Sequence, residues 1–297
     1  MSIRPDAIAR LRGDGGAAVL VRVAVARGST PREAGAAMIV TDWATLGTIG
    51  GGQLEYMAID AARGLLARGG AEQVLDIPLG PEIGQCCGGQ TRITLARLDA
   101  AGWDDVEAEA EAAWRALPQV SIFGAGHVGR ALAALMALLP VRVVVIDQRP
   151  EELALVPAPV ERRLTALPEA EVRSAPPGSA FVVLTHDHAL DFLILREVLA
   201  RGDAAYAGMI GSRTKRVSFE RWLARTGGAA EDTRALVCPI GAAGRPDKRP
   251  EVIAAFVATE ILGALLPLGG APKAQGPASR PAAKAKSHGR SQKIQGQ

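Results

Sequence analysis

The sequence predicts an α/β chain, with a strand-rich N-terminal half followed by a doubly wound parallel sheet. Three observations carry this. After residue 118, short apolar runs alternate with helical segments, the pattern of buried parallel strands and crossover helices. The glycine pattern Gly124-Ala125-Gly126-His127-Val128-Gly129 falls where the first of those runs meets the first helix. Before residue 100 the apolar runs are instead separated by Gly-rich turns around a single helix.

Residues 17–26 and 36–41 read as strands, joined by the turn Arg27-Gly28-Ser29-Thr30-Pro31-Arg32. Gly47-Thr48-Ile49-Gly50-Gly51-Gly52 leads into a helix over 53–68, with Leu54, Met57, Ile59, Leu65 and Leu66 as its packed side. Strands over 74–77 and 91–98 bracket the loop Gln85-Cys86-Cys87-Gly88-Gly89, and an Ala/Glu-rich helix spans 103–117. In the second half, strands are expected at 120–123, 141–146, 180–184 and 204–207. Helices are expected at 128–139, 189–201, 213–226 and 250–266, the last opened by Pro250. The predicted division is a first domain over 1–100, a connecting helix over 101–117, a second domain over 118–268 and a disordered basic tail over 269–297.

Composition excludes several classes. No apolar run reaches the ~18 residues of a membrane span; the nearest, 253–268, is interrupted by Glu260. Arg22 breaks the run 17–26, so no export signal is read. Three cysteines, two of them adjacent, make no disulfide framework, and a reducing cytoplasm is expected. The net charge of +3 includes six basic residues and no acid after residue 270, so the rest of the chain nets −3. A mildly acidic body with a basic tail is not a nucleic-acid-binding domain. No HExxH, Walker A or GxSxG pattern occurs.

The glycine pattern has the context a Rossmann-like turn requires. Gly124 makes the turn, Gly126 lets a phosphate approach backbone, and Gly129 lets helix and strand pack. The helix N-terminus would stabilise the anion. Asp147, ending the next strand, stands where an acid binds a ribose hydroxyl. Thr185-His186-Asp187-His188 follows a buried strand at the same carboxyl edge. His186 and His188 are candidates to orient an anion, bind metal or move a proton, and the alternative is that Asp187 caps the following helix. Gly211-Ser212-Arg213 opens another helix with a hydroxyl and a base suited to an anion. Arg32 and Arg149 read as surface charges, and Cys238 as a structural residue in the turn Cys238-Pro239-Ile240-Gly241.

Gln85, Cys86 and Cys87 form a different candidate site. Adjacent cysteines with no second pair are not a zinc motif. On a glycine-flanked loop, one thiol or both can approach a ligand or a soft metal.

Taken in order, the turn 27–32, the loop 47–52, the Cys86 loop, Gly124 to Gly129, Thr185-His186-Asp187, Gly211-Ser212-Arg213 and Cys238-Pro239-Ile240-Gly241 resemble the XdhC/CoxI family over residues 17–266. The resemblance implies an N-terminal XdhC/CoxI-type domain and a C-terminal Rossmann-like domain. It implies a non-enzymatic chaperone that binds molybdenum cofactor (Mo-molybdopterin) as cargo, protects it, supports its sulfuration with a cysteine desulfurase, and inserts it into apo-xanthine dehydrogenase. Cys86, and more weakly Cys87, would then face molybdenum. Gln85, Gly124, Gly126, Gly129, Asp147, His186, Asp187, His188, Ser212 and Arg213 would be candidates to hold the rest. A cytoplasmic homodimer, with no membrane or nucleic-acid partner, is the expected form. The stretch 242–247 departs from relatives in lacking a hydroxyl. Two other readings stand beside this one. The first is an NAD-dependent oxidoreductase using Asp147 for ribose and His186 or His188 as acid/base, with a nucleotide in the Rossmann half. The second is a cysteine-based metal or redox module.

Overall fold

The computed structural model describes residues 3–80, 88–228, 230–242 and 247–266. Gln85, Cys86, Cys87 and the basic tail lie outside the described residues, as do residues 243–246 of the departing stretch.

The first half is a five-stranded antiparallel sheet in the order β3-β2-β1-β5-β4. Its strands are β1 (Ala18–Arg27), β2 (Ala37–Thr41), β3 (Thr45–Gly47), β4 (Glu72–Pro78) and β5 (Gln90–Arg97). Alternation along β1 sends Val19, Val21 and Val23 to one face. There they meet Leu54, Ala58, Ala62 and Leu65, which form one stripe of α2 (Gly52–Ala67). On the other face lie α1 (Pro5–Gly13) and α3 (Ala100–Arg115), burying Ile8, Leu11, Trp103, Val106 and Ala110 against Ala18 and Ile39. Arg22 of β1 pairs in a fork with Glu109 of α3, at 3.0 and 2.6 Å. Helix α3 begins three residues earlier than expected because the Asp99 carboxylate caps it, accepting from Gly102 N–H at 2.8 Å.

The second half is a six-stranded, all-parallel sheet in the order β11-β10-β9-β6-β7-β8. The strands are β6 (Gln119–Phe123), β7 (Arg142–Asp147), β8 (Glu161–Leu164), β9 (Ala180–Val183), β10 (Tyr206–Met209) and β11 (Leu236–Val237). Counted within this half the order is 3-2-1-4-5-6 reversed, the doubly wound arrangement with its switch point between β6 and β9. Helices α4 (His127–Met136) and α9 (Pro250–Leu265) pack together over Val120, Ile122, Val143, Val145 and Val182. On the opposite face α6 (Pro168–Ser174), α7 (His188–Arg201) and α8 (Arg213–Arg225) cover Phe123, Val144, Ile146, Phe181 and Val183. Short α5 (Pro150–Ala154) follows β7.

Six of these elements escape sequence patterning: α1, β3, α5, β8, α6 and β11. Strand β8 reads Glu-Arg-Arg-Leu and is an edge, where no apolar alternation is needed. Helix α4 stops at Met136, short of the expected 139, as the chain turns at Leu138-Leu139-Pro140 into β7. Glu260, the charge in the apolar α9, accepts a 2.7 Å hydrogen bond from the Tyr206 hydroxyl of β10. The two halves meet at the amino edge of the parallel sheet. There the Arg4 guanidinium donates to Pro159 C=O at 3.0 Å and lies 4.6 Å from the Trp114 ring centroid.

Candidate functional site

The switch point brings Gly124, Asp147, Thr185 and His186 to one narrow cleft at the carboxyl ends of β6, β7 and β9. Its volume is about 10 Å³, roughly the space one water occupies. The turn above it depends on Gly129, since a Cβ there would stand 2.0 Å from Gly124 C=O. Gly126, by contrast, faces open space. Asp147 is almost fully buried, and its carboxylate turns into this loop. Oδ2 accepts from Ala125 N–H at 2.7 Å and from Arg149 Nη2 at 2.9 Å, while Oδ1 accepts from Arg149 N–H and Nε, both at 3.0 Å. Burial pushes the Asp147 carboxyl up, but Arg149 and the N–H groups outweigh it and hold it below its ordinary value. Arg149 is therefore a half-buried ion-pair partner rather than a solvated charge.

Asp187 caps α7, accepting from Ala189 N–H at 2.8 Å, and His186 and His188 flank it, both exposed. Beneath them sits a group that sequence reasoning missed. Asp191, with no exposed surface, accepts from Thr185 N–H at 3.0 Å and Thr185 Oγ1 at 2.6 Å, and pairs with the Lys215 ammonium. Asp191 thus ties the loop after β9 to α8. The Gly211-Ser212-Arg213 motif is shaped by this tie. A Cβ at Gly211 would stand 2.7 Å from Lys215 Cδ, and Ser212 Oγ caps α8 by accepting from Lys215 N–H at 3.3 Å. Arg213 is exposed. Cys238 is buried beside them with Sγ 3.8 Å from Ser212 C=O, and burial raises its thiol pKa. The signal available in the sequence was an acid within the apolar start of α7, Ala-Leu-Asp-Phe-Leu-Ile-Leu, where a charge must find a partner.

Three N-terminal motifs also converge. Gly88 N–H donates to Leu79 C=O at 2.8 Å and Leu79 N–H to Gly89 C=O at 2.7 Å, closing the base of the loop that carries Gln85, Cys86 and Cys87. Gly88 bridges Ser29. A Cβ at Gly89 would meet Ser29 C=O at 2.3 Å and Arg27 C=O at 2.7 Å, so the backbone of Gly89 packs directly on that of the 27–32 turn. The 47–52 loop joins them, as a Cβ at Gly50 would stand 2.6 Å from Pro31 Cβ. Glu55 organises this loop from inside α2. Its Oε2 accepts from Thr48 Oγ1 at 2.5 Å, Ile49 N–H at 3.0 Å and Gly51 N–H at 3.1 Å. Burial raises the Glu55 carboxyl pKa, and the Thr48 hydroxyl with the backbone donors brings it net below its ordinary value.

Comparison with known proteins matches this architecture in both halves. Residues 11–77 match the XdhC and CoxI family, and residues 120–261 match the XdhC Rossmann domain. The chain belongs to the XdhC/CoxI family. A crystal structure described as a xanthine dehydrogenase from Bacillus halodurans is similar to it with a TM-score of 0.69 and 17% identity. That likeness covers 90% of this chain and 98% of the other, and at such identity it is one of fold. YqeB of Escherichia coli (strain K12), an uncharacterised protein, is 28% identical over 265 residues, 82% of this chain. The chain spans only 42% of the length of that relative.

In this XdhC/CoxI chain, the described residues contain no group of three or more His, Cys, Asp or Glu side chains placed to hold a metal ion. His186, Asp187 and His188 lie in sequence without converging on a point. A larger groove of about 460 Å³ runs along the joint between the halves, but it is lined by Ile3, Trp114, Leu117, Leu138 and Leu139 and offers no chemistry beyond the Arg4 charge. No helix among the described residues is long and apolar enough to cross a membrane.

Proposed function

We propose that this chain is a xanthine dehydrogenase accessory protein that carries molybdenum cofactor as cargo. It would hold the cofactor for sulfuration by a cysteine desulfurase and pass it to apo-xanthine dehydrogenase in the cytoplasm. The reading rests on membership of the XdhC/CoxI family. The observation that carries it to a site is the convergence of Ser29, Gly50, Gly88 and Gly89 at the root of the Cys86–Cys87 loop. A metal chelated by sulfur accepts a further soft donor, and a thiolate such as that of Cys86 is one. Gly88, the next residue in sequence after Cys87, bridges Ser29 and donates to Leu79 C=O. Residues 1–100 and 118–268 act as separate domains in this reading, joined by 101–117, and two copies form the working carrier. Delivery requires release, so affinity for cargo is near micromolar, about 8 kcal/mol.

The test is molybdenum and pterin content after anaerobic purification from a host that makes the cofactor, with Cys86→Ala alongside. Near-equimolar molybdenum and pterin in the wild type, lost in the variant with the fold intact, is the expected result. Neither appearing, even with free cofactor added, ends the carrier reading.

A further inference from the structure

The second half has the strand order and glycine turn of a dinucleotide site. A dinucleotide places its adenosine ribose against the acid that ends the second strand of such a sheet, and the vicinal hydroxyls donate to it. Here that acid is Asp147, and its acceptor capacity is already used. An ionised carboxylate offers about four lone-pair sites. Asp147 accepts four hydrogen bonds, one from Ala125 N–H and three from Arg149. Its side chain keeps only 4% of its surface exposed.

The surroundings hold that arrangement from both sides of the turn. Arg130 Nη1 donates to Ala125 C=O at 2.8 Å and pairs with Glu152, which lies 3.9 Å from Arg149 Nη1. The Ala125 peptide is therefore fixed at its N–H by Asp147 and at its C=O by Arg130. Two bases and two acids close a ring around the turn, in the place the ribose would need.

We infer that Asp147 and Arg149 form a clamp that fills the ribose position of this Rossmann half, so that the half rejects ribose-bearing dinucleotides. Arg149 is the residue that decides this. It supplies three of the four bonds, two of them from its side chain, and removing that side chain returns two acceptor sites to Asp147. The inference concerns the Rossmann half alone and is independent of the cargo reading above.

Fluorescence and calorimetric titration of the full chain with NADH, NADPH and ADP-ribose tests it, comparing wild type with Arg149→Gln. Arg149→Lys, which keeps the charge and loses the fork, serves as a second variant should the first fail to fold; cooperative unfolding reports folding. The wild type is expected to show no saturable binding below about 1 mM of any of the three. Arg149→Gln, or Arg149→Lys in its place, is expected to bind NADH and ADP-ribose at least ~10-fold more tightly than wild type. Micromolar binding of NADH by the wild type overturns the clamp. So does binding of NADPH alone, because Arg149 would then be a phosphate ligand released from Asp147. Folded variants that bind no better than wild type also overturn it.

Discussion

The two glycine turns of this chain look alike in sequence and are solved alike in structure, with opposite consequences for a ligand. Gly47 to Gly52 opens α2, and Gly124 to Gly129, whose pattern suggests a backbone cradle for an anion, opens α4. In both, the protein supplies the anion. Glu55 reaches back from α2 to Thr48, Ile49 and Gly51, and Asp147 reaches across from β7 to Ala125. The difference lies in what surrounds the carboxylate. Glu55 is half-buried and is held by a hydroxyl and backbone N–H groups, with no paired base among the described residues. Asp147 is buried under Arg149 beside a cleft of about 10 Å³. A glycine-rich strand-to-helix turn therefore states that an anion is wanted there, and leaves open whether a ligand or a side chain provides it.

The largest effect that would break this comparison is at the backbone. Gly129→Ala places a methyl 2.0 Å from a carbonyl that cannot withdraw without opening the turn. It is expected to cost about 3 kcal/mol or more, read as a fall in the urea midpoint. A smaller loss would mean the second turn is less fixed than its contacts indicate.

Removing each carboxylate compares the turns directly. Asp147→Ala orphans Ala125 N–H and leaves the Arg149 guanidinium without its partner, so about 2–3 kcal/mol is expected. Glu55→Ala should cost less, about 1–2 kcal/mol, since its donors lie closer to water. Equal losses would mean that the two carboxylates support their turns alike.

The smallest effect is in acid. Both carboxyls are held below their ordinary values in the folded state. Their stabilisation is complete above the unfolded carboxyl pKa, near 4, and is lost as pH falls through the lower folded values. Asp147→Asn should therefore flatten the dependence of stability on pH below about 4, in urea titrations at stepped pH. A variant curve parallel to wild type would show that Asp147 is not depressed.

Much of this fold was legible because its strands and long helices are periodic and apolar. Strands β6, β7, β9 and β10 and helices α4, α7, α8 and α9 were expected within a few residues of where they stand. The elements that escaped owe their existence to neighbours: β8 is a charged edge held by β7, and β11 has two residues held by β10. The motifs were legible as positions and not as partners. Asp187 was recognised, with helix capping among its readings. Asp191, four residues on, was not, although it carries the tie between two loops. Its partner Lys215 lies 24 residues away, a separation that no local pattern encodes. Glu55 was hidden for the opposite reason: a glutamate in the first turn of a helix looks ordinary, and only the folded loop gives it the hydrogen bonds from Thr48, Ile49 and Gly51.

Glu260 also bears on how the last helix is seated. Helix α9 is apolar nearly all round, so greasy contact alone would let it slip along or roll over the sheet at little cost. Its hydrogen bond from Tyr206 works as a key in a lock. A shift of one helical turn, about 5.4 Å, would pull the carboxylate off the hydroxyl and strand both. The residue that broke the longest apolar stretch of the sequence is thus the one that sets the seating of the last helix.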